Sequence, residues 1–152
     1  MDRVEILKLT ATGLAGLFAG GAIYINLCEA PARATLDVAP RNKQWGESFK
    51  RAKRWQGGLV FASSAPALAV YCLDGSDNRK LWAVGAGVFL LAWPWTLIVM
   101  ISDIKKGLED DVIDKRGEEW VKNNIAVWNK RHMFRSIVSM TAIGIFLYAL
   151  QK

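Results

Sequence analysis

Eight residues of this 152-residue sequence could do chemistry together: Asn26, Glu29, Arg51, Gln56, Thr96, Asp103, His132 and Arg135. A carboxylate and a histidine suit proton abstraction, because each can hold or release a proton at a defined point in space. Arginines beside them suit the oxyanion that abstraction leaves behind, since a guanidinium keeps its charge and offers five N–H donors. The same set suits an anionic head group equally well. Each residue also has a plainer reading. Glu29 and Arg33 stand four apart, the spacing of an ordinary helical ion pair. Arg51 and Arg135 can snorkel towards lipid phosphate, and Gln56 and Thr96 can bond to backbone or to a neighbouring helix. His132 is the sole histidine, and a lone histidine near a membrane surface often has a structural role.

Other chemistries lack their residues. One histidine and no cysteine pair cannot build a usual zinc site, and bis-histidine haem ligation within one chain is impossible. No GxGxxG, Walker loop or GxSxG is present. The two cysteines, Cys28 and Cys72, lie at the far ends of consecutive apolar segments. Antiparallel packing puts them at opposite faces, beyond the roughly 7 Å reach of a disulfide, so both are expected as free thiols.

What positions the eight residues is a set of four apolar segments. Hydrophobic residues make up 52% of the chain, yet 22% is charged. The two classes are segregated rather than interleaved, as they would be over a soluble core. The first span covers about residues 9–27 and contains Gly16 and Gly20 in a GxxxG frame, a close-packing face within the bundle or between copies. The second covers about 55–73. The third, 81–101, has no charge over 21 residues, enough to cross about 30 Å of hydrocarbon; Pro94 should kink it. The fourth, 134–150, is short. Pro31 and Pro40 should prevent one continuous helix through the polar connection between the first two spans. Between the third and fourth, Val121, Ile125 and Trp128 recur at helical spacing opposite Glu118, Glu119 and Lys122, the pattern of an amphipathic interfacial helix. The expected fold is therefore all-α: one four-helix transmembrane bundle over residues 1–152. Ala30-Pro31-Ala32 resembles a signal-peptidase site, but the apolar run before it is long and Asp2 and Glu5 disturb the segment ahead of it, so the first span is expected to be retained.

The formal charge of +6 raises the question of nucleic acid. The first and third connections, with Arg135 at the start of the fourth span, hold all the Lys and Arg except Arg3, Lys8, Arg79, Lys80 and Lys152. Flanking basic residues fix topology and touch anionic lipid head groups, so no nucleic-acid partner is expected. The positive-inside rule places those two connections on the cytosolic or matrix side, in the endoplasmic reticulum or the mitochondrial inner membrane. All eight polar residues then gather near one membrane face, where ionisable groups either pair or serve a function.

Several short runs match a known pattern in order along the chain: Gly16 to Gly20, Glu29-Ala30-Pro31-Ala32-Arg33, Ser48-Phe49-Lys50-Arg51-Ala52 with Gln56, Pro94-Trp95-Thr96-Leu97, and Trp128 with Arg131-His132 and Arg135. With these runs the sequence resembles the family that includes the fungal anthrone oxygenases. The resemblance implies a four-helix membrane bundle. In the fungal members it implies oxidation of an anthrone to an anthraquinone by molecular oxygen, without metal or flavin cofactor. It points to His132 and Glu29 as catalytic residues and to Arg33, Arg51, Gln56 and Arg135 as substrate-binding residues. One departure is Ser102-Asp103-Ile104, where the family often has Pro-Thr-Asn after the third span. The other reading is a non-catalytic accessory subunit of a larger membrane complex. Seven tryptophans, the glycine-rich first span and the basic connections suit protein and lipid contacts of that kind.

Overall fold

The computed structural model describes residues 2–152. Its helices are α1 (Arg3–Ala34), α2 (Val38–Leu73), α3 (Arg79–Gly107), the short α4 (Val112–Arg116) and α5 (Glu118–Leu150). No strand occurs among the described residues. The four long helices are each long and apolar enough to cross a membrane, so the chain is a multi-pass membrane protein. Helices α1 and α3 each lie against both α2 and α5, so the four form a ring.

Local chemistry sets the helix ends. Asp2 and Glu5 form a reciprocal capping box at the start of α1, each backbone N–H donating to the other's carboxylate at 2.8 Å. The first connection is broken only at residues 35–37, far less than the two prolines suggested. Pro40 sits in the first turn of α2, where its missing N–H has no helical partner to lose. Pro31 follows a π-helical segment, Ile25–Glu29, whose wider turn absorbs the lost hydrogen bond. The Arg41 guanidinium closes the corner, donating to the Ala34 and Leu36 carbonyls at 2.6 and 2.7 Å. In α3 a turn at Leu91 precedes Pro94, and a second π segment, Thr96–Met100, follows it.

The helices run beyond the spans read from hydropathy. At 36 and 33 residues, α2 and α5 are about 50 Å long, well over the roughly 30 Å of hydrocarbon. The amphipathic stretch carrying Val121, Ile125 and Trp128 is helical, but it continues into the fourth span as one rod. No breaker interrupts it after Gly117, whose φ of 83° starts the helix from a backbone conformation that favours glycine. Its apolar face is buried against protein rather than laid on lipid.

Two cores result. The inner one joins Phe18, Val60, Val70, Trp82, Phe89 and Phe146 across all four long helices. The second joins Trp45, Phe49, Met100, Ile104, Val121, Ile125 and Trp128 at the end that carries the first and third connections. There Asn42 and Asn124 donate to the Gly107 and Asp103 carbonyls at the end of α3, each at 3.3 Å. At the opposite end Lys8 pairs with Asp74 at 2.6 Å. Outward-facing residues such as Leu17, Phe61, Val84, Ile98 and Ile137 are exposed and apolar, with Ile98 80% exposed, as a lipid-facing surface requires. Both cysteines are free, as expected. Within the GxxxG frame Gly16 packs towards Ile143 of α5, whereas Gly20 faces open space.

Three outcomes follow from this packing. A Cβ at Gly85 would sit 2.4 Å from the Phe146 ring, which is stacked on Trp82 and has no room to withdraw. Gly85→Ala should therefore destabilise by about 1–3 kcal/mol, while Gly87→Ala, facing open space, should be neutral or gain up to about 1 kcal/mol from helix propensity; thermal unfolding in detergent measures both. The Lys8 ammonium and the Ser76 N–H hold the Asp74 carboxyl below its ordinary range. Stabilisation from this partly exposed pair, at most about 1 kcal/mol, is present at neutral pH and lost as pH falls through that lowered value. The difference in unfolding temperature between wild type and Asp74→Asn should shrink to nothing on acidification. Finally, Ser76→Cys and Asp110→Cys, each without Cys28 and Cys72, should react with an impermeant maleimide from opposite sides of sealed vesicles; labelling from one side would contradict the crossing.

Candidate functional site

Five of the eight expected polar residues, Asn26, Glu29, Gln56, His132 and Arg135, fall into three networks at the level where the inner core meets the second. In the first, Arg33 is almost wholly buried and pairs with Glu29 at 2.7 Å. Its Nε donates to Gln44, and the Gln44 amide donates to the same Glu29 oxygen at 3.0 Å. Glu29 is thus engaged as the anchor of a buried cation.

The second network fixes His132. The Asn26 amide nitrogen donates to the Asn129 carbonyl at 3.1 Å, so its oxygen must face the other way. That oxygen accepts from Ser136 Oγ at 2.7 Å and lies 3.0 Å from His132 Nδ1. An amide oxygen only accepts, so Nδ1 carries a proton, and of the two neutral tautomers this geometry selects the one with its lone pair on Nε2. That Nε2 is buried and has no hydrogen-bond partner. The ring stacks on Trp128 at 4.9 Å between centroids, and Trp128 meets Trp45 edge-on at 5.8 Å. The imidazole is therefore held in position, oriented in tautomer, and free at one nitrogen.

The third network is Arg135, one turn further along α5. It is buried, its Nη2 donates to Gln56 Oε1 at 3.1 Å, and its guanidinium carbon lies 5.4 Å from the Phe18 ring centroid. Its Nε has no partner. No carboxylate pairs with it among the described residues. A cation so placed has lost most of its water and gained only a neutral amide and an aromatic face, which leaves it short of an anion.

Arg135 opens onto a cavity of about 340 Å³ between α2 and α3. Phe49, Gly57, Val60, Trp93, Leu97 and Ile101 make its walls apolar. Thr96 also lines it, with its hydroxyl donated to the Ala92 carbonyl at 2.7 Å. A pocket with apolar walls and few polar groups is the usual form of a small-molecule site.

Of the expected site residues, Arg135 reaches the cavity and Gln56 holds it from behind. His132 is at the same level but does not line the cavity, being only 1% exposed. Glu29 and Arg33 form their own network, and Arg51 is exposed, away from all three. Asp103 pairs with Arg131, which also donates to the Val99 carbonyl at 3.0 Å. Sequence reasoning missed Ser136 and Gln44. Ser136 stands four residues after His132 on one helix, a spacing that could have revealed it. Gln44 lay in a stretch read as a polar connection without one continuous helix, and only the early start of α2 brings it to Glu29.

No curated protein and no solved structure matches this chain. The family profile described as anthrone oxygenase matches residues 45–145, most of the chain. Gln56, the cavity, His132 and Arg135 fall inside the matched stretch, while Glu29 and Arg33 precede it. By that match over its greater part, the chain belongs to the anthrone oxygenase family.

Proposed function

We propose that this protein is a membrane-embedded oxygenase that oxidises a planar phenolic substrate, of the anthrone type, to a quinone. The observation that carries the proposal is Arg135: a buried cation without a carboxylate, facing an apolar cavity sized for a small molecule. A flat aromatic substrate slides between α2 and α3 from the bilayer and sets its ring oxygen against the guanidinium. Family membership supplies the reaction class.

The steps balance with dioxygen as the sole oxidant. His132 lies behind the cavity wall, about 4.5 Å along α5 from Arg135, so the proton leaving the activated CH₂ of the substrate passes to its Nε2 through an intervening water rather than by direct contact. Arg135 holds the resulting phenolate-like anion. The anion gives one electron to O₂, and the radical and superoxide combine in a C–O bond. The proton on His132 returns to the peroxide. Loss of water, with the second C–H hydrogen, leaves the ketone, so the substrate and O₂ become the quinone and H₂O. Asn26 and Ser136 keep the ring in the tautomer that leaves Nε2 free. Glu29, already tied to Arg33 and Gln44, positions that arginine and takes no proton.

The test is oxygen uptake and quinone formation with an anthrone substrate in detergent or nanodiscs. His132→Ala should lower turnover by at least about 10²-fold, and Arg135→Gln by about 10²–10³-fold. His132→Ala leaves a hole beside Trp128 and should unfold at a lower temperature than wild type, so turnover is compared below the unfolding range of each variant, set by a thermal scan. Unchanged turnover in folded His132→Ala would remove the base role. Recovery of the wild-type chain only inside a large hetero-complex, with no turnover, would favour an accessory subunit instead.

A further inference from the structure

Lys53 and Arg54 stand at the rim of the cavity, and the reaction above leaves them without a role. Three cations line this space, Lys53, Arg54 and Arg135, and no carboxylate does. Lys53 and Arg54 lie three and two residues before Gln56 on α2, so they sit less than one turn, about 3–4.5 Å along the axis, from the level of Arg135. The Lys53 ammonium lies 6.0 Å from the Phe49 ring centroid, and Phe49 is itself a cavity wall, which keeps the charge at the mouth. Lys50, one turn earlier, is neutralised by Glu47 at 3.1 Å. Neither Lys53 nor Arg54 has such a partner among the described residues.

A neutral substrate needs only Arg135. A second, outer pair of unpaired cations at the rim matches a second anionic group on the same ligand, displaced outward from the oxygen that Arg135 holds. We propose that Lys53 and Arg54 are specificity-determining residues that select an aromatic substrate bearing a carboxylate, with the ring in the apolar part of the cavity and the carboxylate at the rim. This rests on the reading of the cavity as the substrate site.

The experiment uses the full chain in nanodiscs of zwitterionic lipid and follows quenching of tryptophan fluorescence by two probes, anthraquinone-2-carboxylate and uncharged anthraquinone. The carboxylate should bind about tenfold more tightly, and the double variant Lys53→Gln/Arg54→Gln should lose that preference while keeping its affinity for anthraquinone. Equal affinities in wild type, or a preference that survives in the double variant, would overturn the proposal and leave the cavity reading standing. Gly57→Leu, which fills the cavity beside Trp93, should block both probes in a protein that still folds. If neither probe binds to wild type, or both bind unaltered to Gly57→Leu, the cavity reading itself fails. Phosphatidylglycerol in the nanodisc should compete weakly; if it displaces the carboxylate from wild type but not from the double variant, the rim belongs to lipid phosphate and the substrate assignment is overturned.

Discussion

Arg135 is the residue around which the rest of the site is arranged. A guanidinium in the middle of a helical bundle demands compensation, and its neighbours give it only partly: an amide oxygen from Gln56 and the face of Phe18. Gln56 reaches it because α2 places a polar side chain inward one turn above Val60, facing Gly21 of α1, where even a Cβ would make only ordinary contact with the amide at 3.6 Å. Three helices therefore contribute to one cation, and α3 supplies the open side. The incomplete pairing is what marks the cavity as a candidate site, because an anion entering it would supply the compensation that Gln56 and Phe18 leave incomplete.

The surplus length of the helices supports that arrangement. Had α2 and α5 ended at the edge of the hydrocarbon, the polar networks would lie at frayed helix termini. Instead both continue, and the second core of Trp45, Ile104, Val121 and Trp128 closes over them. Trp128 belongs to that core and also stacks on His132, so packing outside the spans fixes a ring inside the bundle. Gly107 allows the close approach this needs, since a Cβ there would meet Trp45 at 2.9 Å and Asn124 at 2.7 Å.

Much of the fold was legible because the four apolar runs are long and the charges between them are concentrated. Helix extents were not legible in the same way. Hydropathy reports where lipid ends, not where a helix ends, so the polar first half of α2 read as a connection and the start of α5 as a separate interfacial helix. The site was legible in part. Convergence of helix ends brought His132, Asn26, Gln56 and Arg135 to one level, as counting along the spans implied. Counting could not say which side chains face the bundle and which face outward: Arg51 and Arg54 differ by three residues, yet only Arg54 lines the cavity.

The two π-helical segments bear on why these residues meet. Ile25–Glu29 and Thr96–Met100 lie on diagonal helices at the level of the site. A π turn inserts one residue, rotates the following side chains relative to a regular helix, and leaves backbone carbonyls less tightly bound. Asn26 falls in the first segment and points its amide across to α5. In the second, the Val99 carbonyl is taken up by Arg131 of α5. Each deformation is thus tied to the same neighbouring helix, the first through the Asn26 side chain and the second through Arg131 of α5, on the face next to His132 and Arg135. Proline accounts for the location of the first, since Pro31 removes the donor that the Leu27 carbonyl within it would have used; Pro94 lies before the second, and the donor it removes falls at the Leu91 turn instead. A regular helix through the first stretch would carry Asn26 and the residues after it round the axis by about 100° per residue of register, which is enough to turn the Asn26 amide away from the histidine it orients.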